Sequence, residues 1–227
     1  MVYSAPLPGF VTRAPASAKE AEGPVRVAPL TPKLASWWDQ EVQPSIDDEK
    51  PTRADQGWRW PRLVGLATRL SRWLNQRPVG YAIGVPLQER NQFVPCVLLL
   101  LVGNYRHLQN HYEDAVFLWY LSAAPVAVLQ KFLPDEFRPK PLGVLGLDTA
   151  LVHSFTLRLM GRLGLHADRK GGEDLARWYL KQGMTNLPAG APLPTGFRAS
   201  FVPNDGRYFY YDPGSATEAI TRMDRFR

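Results

Sequence analysis

The longest apolar run of the chain, Val94 to Val102, sets the first limit on its fold. Crossing a bilayer as a helix takes about 20 apolar residues, so this run cannot do it. Short and bounded, it reads as a β-strand buried on both faces, which needs a sheet with helices to cover it. Two further runs accompany it. Val79 to Val85 lies between Pro78 and Pro86, while Val94 to Tyr105 and Ala115 to Ala124 are joined by the polar link Arg106 to Asp114. Three consecutive sheet strands are expected from this pattern.

Helical signals flank them. Thr31-Pro32 is an N-cap followed by proline at the first helical position, and Leu34, Trp37, Trp38 and Val42 recur at helical spacing. Asp47-Asp48-Glu49 and Pro51 end that helix. A second is expected from Pro61 through Leu63, Leu66, Ala67, Leu70 and Leu74, with Arg62, Arg69 and Arg72 on its exposed face. After Pro125 the chain reads as irregular through Pro134, Pro139 and Pro141, then as an apolar helix from Gly143 to about Met160, stopped by Gly161. A short strand over 161–166, a helix over 171–182 stopped by Gly183, and a hairpin follow. The hairpin would join Phe197–Val202 to Arg207–Asp212 through Asn204-Asp205-Gly206, before a last helix over 216–225. Residues 1–30 carry prolines at 6, 8, 15, 24 and 29 and no apolar period. They read as an extended or disordered leader to a single domain over 31–227.

Composition removes several classes of function. Lys plus Arg number 27 against 21 Asp plus Glu, a net charge of +6 that solubility alone explains. Nucleic acid is not among the expected partners, since no groove-reading motif accompanies the arginines between 53 and 77. A lone cysteine, Cys96, excludes a disulfide framework and a cysteine-rich zinc site. His107, His111, His153 and His166 are too scattered for a metal site by spacing, and no metal is expected. There is no phosphate loop ending in Gly-Lys-Ser/Thr, no His-Glu-x-x-His, no nucleophile elbow and no Gly-x-Gly-x-x-Gly after a strand. Met1 to Gly9 lacks the basic and apolar regions of a signal peptide. A soluble, cytoplasmic protein is the expectation.

The chemistry-bearing stretch is Ala115 to Met184. A strand ends at Pro125, and a basic loop with Arg138 and Lys140 then runs into a helix opened by Gly143. The free N–H groups of that first turn, at Leu142, Gly143 and Val144, would suit a pyrophosphate. The subsequent strand leads to a helix carrying Tyr179, four residues before Gly183-Met184.

Over about residues 79–212 this order resembles the Gcn5-related N-acetyltransferase (GNAT) superfamily. Its strand motif is matched by Tyr120-Leu121-Ser122-Ala123-Ala124-Pro125, and its phosphate loop in part, with Arg138 first, Gly143 last and Pro141 where the first glycine belongs. The closest match is Gly161-Arg162-Leu163-Gly164-Leu165-His166, then Gly171 to Tyr179 and Gly183-Met184, in the manner of a divergent bacterial subgroup. The resemblance implies an α/β fold: a mixed, mostly antiparallel central sheet flanked by helices, with a splayed parallel strand pair. It implies acetyl-coenzyme A as cosubstrate and transfer of its acetyl group to a primary amine of a small molecule, peptide or protein. Main-chain groups of Leu121, Ser122 and Ala123 would bond the pantetheine arm, Arg138, Lys140, Leu142, Gly143 and Val144 would hold the phosphates, and Tyr179 would protonate the departing thiolate. Gly146 is an alternative point of closest approach. His166 lines such a site or serves as a structural histidine, and Glu113 and Asp114 are candidate bases by location only. The alternative function is a non-catalytic acyl-coenzyme A-binding or partner-binding module. A homodimer is allowed for.

Overall fold

A computed structural model describes residues 25–50, 52–74, 77–87, 92–135, 141–194 and 203–224. In chain order the elements are β1 (Arg26–Pro29), α1 (Pro32–Glu41), α2 (Gln43–Asp47), α3 (Trp60–Leu74), β2 (Arg77–Leu87), β3 (Gln92–Arg106) and β4 (Asp114–Ala123). Then come α4 (Val126–Phe132), α5 (Leu142–Thr156), β5 (Leu163–His166), α6 (Gly172–Lys181), β6 (Thr185–Leu187), β7 (Tyr208–Tyr211) and α7 (Pro213–Met223). The strands form one sheet in the order β1-β2-β3-β4-β5-β7-β6. Neighbours run antiparallel except β4 and β5, which are parallel. Among the described residues no helix is long and apolar enough to cross a membrane.

β3 is the buried strand its apolar run requires. Val97, Leu99 and Leu101 pack on one face in a core shared with α5, α6 and α7. Cys96, Leu98 and Leu100 pack on the other, against Trp38 of α1, Trp60 and Ala67 of α3, and Val128 and Leu129 of α4. Alternation along one strand therefore feeds two cores. α1 starts as its sequence dictates, with the Thr31 hydroxyl accepting from the Leu34 N–H at 3.2 Å and proline in the first turn. Trp38 and Trp60, fully buried, meet edge to face with centroids 6.4 Å apart and tie α1 to α3.

Several expectations need correction. Pro78 and Pro86 lie inside β2 instead of bounding it. β1 covers only Tyr81–Gly84 of β2, so both prolines fall where β2 has one neighbour and a missing N–H costs little. Arg26–Pro29, assigned to the leader, form edge strand β1, and Val25 before it is buried; residues 1–24 lie outside the described residues. The stretch after Pro125 is not irregular at first but forms α4. α5 ends at Thr156, not at Gly161, through a turn in which Arg158, Met160 and Gly161 all have positive φ. The Ser154 hydroxyl, donating to the Arg162 carbonyl at 2.9 Å, pins that turn to the start of β5. The hairpin does not form at β7, because β5 and β6 already occupy both its edges. β6 was not expected. Residues 197–202, the other hairpin arm, lie outside the described residues.

Candidate active site at the parting of two parallel strands

β4 and β5 pair at only three positions, Val116 with Leu163, Phe117 with Gly164 and Leu118 with Leu165. Beyond Leu118 β4 continues to Ala123, and among the described residues no strand pairs with its edge toward β5. Trp119 is skipped in the β3–β4 register, which passes from Leu101–Leu118 to Leu100–Tyr120, a bulge of the kind that bends a strand and increases its twist. A cleft of about 1030 Å³ opens there. It is lined by Leu118 to Leu121 and Ala123 of β4, Leu165 and His166 of β5, Gly143 of α5, Trp178 and Tyr179 of α6, Arg53, Asp55, Trp58 and Arg59 of the segment between α2 and α3, and Arg62 of α3.

Which main-chain groups reach the cleft follows from the ladder. The Ala124 N–H donates to Cys96 of β3 at 2.9 Å, so by alternation Ser122 and Tyr120 also face β3. Leu121 and Ala123 face the open edge. The expected main-chain role of Ser122 is thus corrected: its backbone serves the sheet, and its buried hydroxyl donates to Asp55 at 2.5 Å.

Asp55 belongs to a clasp that sequence reasoning missed. Arg53 donates to it through Nε at 2.9 Å and Nη2 at 2.7 Å, to Glu49 at 2.8 Å, and to the Ala123 carbonyl at 2.8 Å. Gln43 Nε2 donates to the Asp55 carbonyl at 2.9 Å. Burial and the Asp55 and Glu49 carboxylates act on the Arg53 guanidinium, and the carboxylates prevail to hold it above its ordinary value. The clasp pins the α2–α3 segment to the end of β4, and Trp58 packs edge to face on Tyr120 at 4.8 Å.

Tyr179 is placed by α6, an amphipathic helix whose Leu175, Ala176, Trp178 and Tyr179 turn to the sheet. It is buried at the cleft wall, its ring 5.5 Å from Phe209. Burial, with the Asp55 charge adding, pushes its phenol above the ordinary value, so the hydroxyl keeps its proton at neutral pH. Among the described residues it has no hydrogen-bond partner. Gly183, at φ +85°, ends the helix as its sequence signalled.

Gly143 also lines the cleft, but a Cβ there would lie 2.9 Å from Trp178, which packs directly on it. Leu142 is half-buried and Val144 buried. Gly146, the alternative point of approach, faces the sheet instead: a Cβ there would run into the Leu121 side chain. Pro141 provides no side-chain cap, so the first-turn N–H groups of α5 remain available to an anion. Arg138 and Lys140 lie outside the described residues.

The two candidate bases lie at the other end of β4. Glu113 is 3.4 Å from Arg162 and Asp114 is 3.0 Å from Arg106. The cleft instead holds His166, whose Nε2 is 3.1 Å from Asp205. Desolvation would raise the Asp205 carboxyl, but hydrogen bonds from Arg169 and His166 outweigh it and lower it below the ordinary range. Among the described residues no cluster of three His, Cys, Asp or Glu side chains could hold a metal.

No protein-family model matches the chain, and no curated protein sequence matches it. Solved structures do. FdhC, described as a nucleotide-linked sugar GNAT, shares 11% identity over 89% of this chain and 94% of its own, with a TM-score of 0.50. RimJ of Mycobacterium smegmatis, solved with CoA-disulfide, shares 15% identity over 89% of this chain and 90% of its own, with a TM-score of 0.49. The sheet order, the parallel β4–β5 pair and the likeness to FdhC together show that this chain has the GNAT fold.

Proposed function

We propose that the protein is an acyl-coenzyme A-dependent N-acetyltransferase, moving an acetyl group from acetyl-coenzyme A to a primary amine. The observation that carries this reading is the parting of β4 from β5 beside a buried, protonated tyrosine. An extended pantetheine arm needs an unpaired strand edge with outward main-chain groups, and Leu121 and Ala123 present one. An outward strand N–H can polarise the thioester carbonyl. Tyr179 keeps a proton for the leaving thiolate on the face of the sheet that carries α5 and α6. The α5 first turn would hold the phosphates, with Leu142, Gly143 and Val144 donating and Arg138 and Lys140 adding charge. Arg53 already donates to the Ala123 carbonyl, so that group is shared or yielded when the arm enters.

One observation favours the alternative of a non-catalytic acyl-coenzyme A- or partner-binding module. Trp178 rests on Gly143 and narrows the approach to the α5 N-terminus. Calorimetry with acetyl-coenzyme A, then thiol release across a panel of primary amines, separates the two. Acetyl-coenzyme A binding with amine-dependent thiol release supports the enzyme; binding with no release from any amine supports the acyl-coenzyme A-binding module; absence of binding overturns both of these and leaves the partner-binding module. Tyr179→Phe keeps the ring and removes the proton, so turnover should fall by about 10²-fold while affinity holds.

A further inference from the structure

We infer that the outward face of α3 docks an acidic, amphipathic helix of a partner protein. α3 carries two stripes at the same helical spacing. The inner one, Trp60, Leu63, Val64 and Ala67, is explained by the fold: Trp60 and Ala67 are buried, and Leu63 and Val64 pack on the same core as Trp38 and Val128. The outer one is Arg62, Gly65, Leu66 and Arg69, at i, i+3, i+4 and i+7.

Gly65 carries the argument. A glycine inside a helix weakens it by leaving the unfolded chain freer, and is used where a neighbour must come close to the backbone. Among the described residues, a Cβ on Gly65 would meet nothing within 4 Å. The close approach that a side chain would block therefore comes from another molecule. Leu66 beside it is 45% exposed. Pro61, Arg62, Leu63, Gly65, Leu66 and Arg69 line a groove of about 570 Å³ on this face, with an apolar floor and a cation toward each end. Arg59 is held by Asp47 at 3.2 Å, but Arg62 and Arg69 are exposed and make no ion pair among the described residues.

Charge selects the occupant. The sequence of α3, Trp60–Leu74, contains Arg62, Arg69 and Arg72 and no acidic residue. A second copy of this chain would bring Arg62 and Arg69 against their own equivalents, and like charges across an interface oppose association. A phosphate backbone would satisfy the arginines and leave Leu66 uncovered. An acidic helix does both. One heptad of α3 spans about 10 Å, so carboxylates one heptad apart on a partner helix reach Arg62 and Arg69 together. An apolar residue between them then lies over Gly65 and against Leu66. Arg62 and Leu63 also line the cleft, so the docked helix stands at its mouth.

The test is binding and needs no turnover. The probe is a labelled synthetic helix of about 18 residues, with two Glu one heptad apart and Leu between them on the same face, titrated with the full chain by fluorescence anisotropy. A control helix replaces both Glu by Lys. The parent should bind the Glu helix saturably and more weakly as salt rises, and the Lys helix at least about tenfold less tightly. Gly65→Gln fills the groove and Arg69→Glu reverses the charge at one end, so each should weaken binding at least about tenfold. The melting temperature should hold in Arg69→Glu and hold or rise in Gly65→Gln, since glutamine is the better helix former. Absence of saturable binding by the parent, or unchanged affinity in Gly65→Gln, overturns the inference. A marked fall in the melting temperature of Gly65→Gln does so too, because the glycine would then serve the fold. A single-stranded RNA of similar length that binds the parent more tightly than the Glu helix would replace the partner by a nucleic acid. Self-association of the parent that Gly65→Gln abolishes, read by sedimentation, would replace it by a second copy.

Discussion

The two ends of β4 are built on opposite terms. At the start of the strand, Val116, Phe117 and Leu118 are buried and paired to β5, Phe117 and Leu118 also to β3, and Arg162 ties the entry by donating to the Asp114 carbonyl at 2.8 Å. At the far end, the same strand keeps β3 on one side and meets polar side chains from distant segments on the other. Carbon seals the first end; Arg53, Asp55 and Ser122 frame the second. A sheet gains most where pairing is complete, and offers backbone donors and acceptors to a ligand only where pairing stops. Stability and chemistry are thereby divided along one strand.

The division fails if the closed end can be weakened cheaply. Leu163→Ala, at a fully buried position paired with Val116 and Tyr211, should cost about 2–5 kcal/mol by lost burial and the cavity left behind. Chemical denaturation measures this, and a cost under about 1 kcal/mol would place the seal elsewhere.

The open end should respond less. Asp55→Asn leaves Arg53 without its bidentate partner and weakens the acceptor for Ser122, at a cost of about 1–3 kcal/mol. Its effect should also reach function, since the clasp positions the α2–α3 wall of the cleft. If denaturation and acetyl-coenzyme A affinity both match the parent, the clasp is a bystander.

Acid should sharpen the contrast. At the closed end His107 is buried, its Nε2 3.1 Å from the Tyr211 carbonyl, and desolvation holds its pKa below 6.5. An unfolded histidine takes up its proton first, so this contribution is full above about pH 6.5 and declines as pH falls through the folded value. His153, lowered by burial to about 4, acts in the same direction down to that pH. At the open end Asp205 is lowered, so its contribution persists until pH drops below 3.8. Melting temperatures of parent and His107→Asn between pH 7 and 5 should converge as pH falls; parallel curves would remove His107 from the account.

The smallest effect belongs to the rim. Arg169 pairs with Asp205 at 2.9 Å but its side chain is 76% exposed, so Arg169→Ala should change stability by no more than about 0.5 kcal/mol. A larger loss by denaturation would mean that Asp205 needs Arg169 to stay ionised.

Local signals carried much of the framework. Thr31-Pro32 starts α1, the apolar runs are β2 to β4, and the spacing of Tyr179 from Gly183 marks the end of α6, because caps and periodicity act within a few residues. β1 and β6 are too short to carry a period, and only pairing with β2 and β7 makes strands of them. Asn204-Asp205-Gly206 has the composition of a hairpin, yet β7 spends both edges on β5 and β6, and Asp205 turns to His166 instead. The site is the least local part of all. Ser122 reaches Asp55 across 67 positions, Arg53 reaches Ala123 across 70, and His166 meets Asp205 across 39. The sequence alone determined which of the longer segments become strands and helices and which one bears the tyrosine. Tertiary structure decided where two parallel strands part and which charged side chains stand around the gap, because those contacts exist only once distant segments pack on the same sheet.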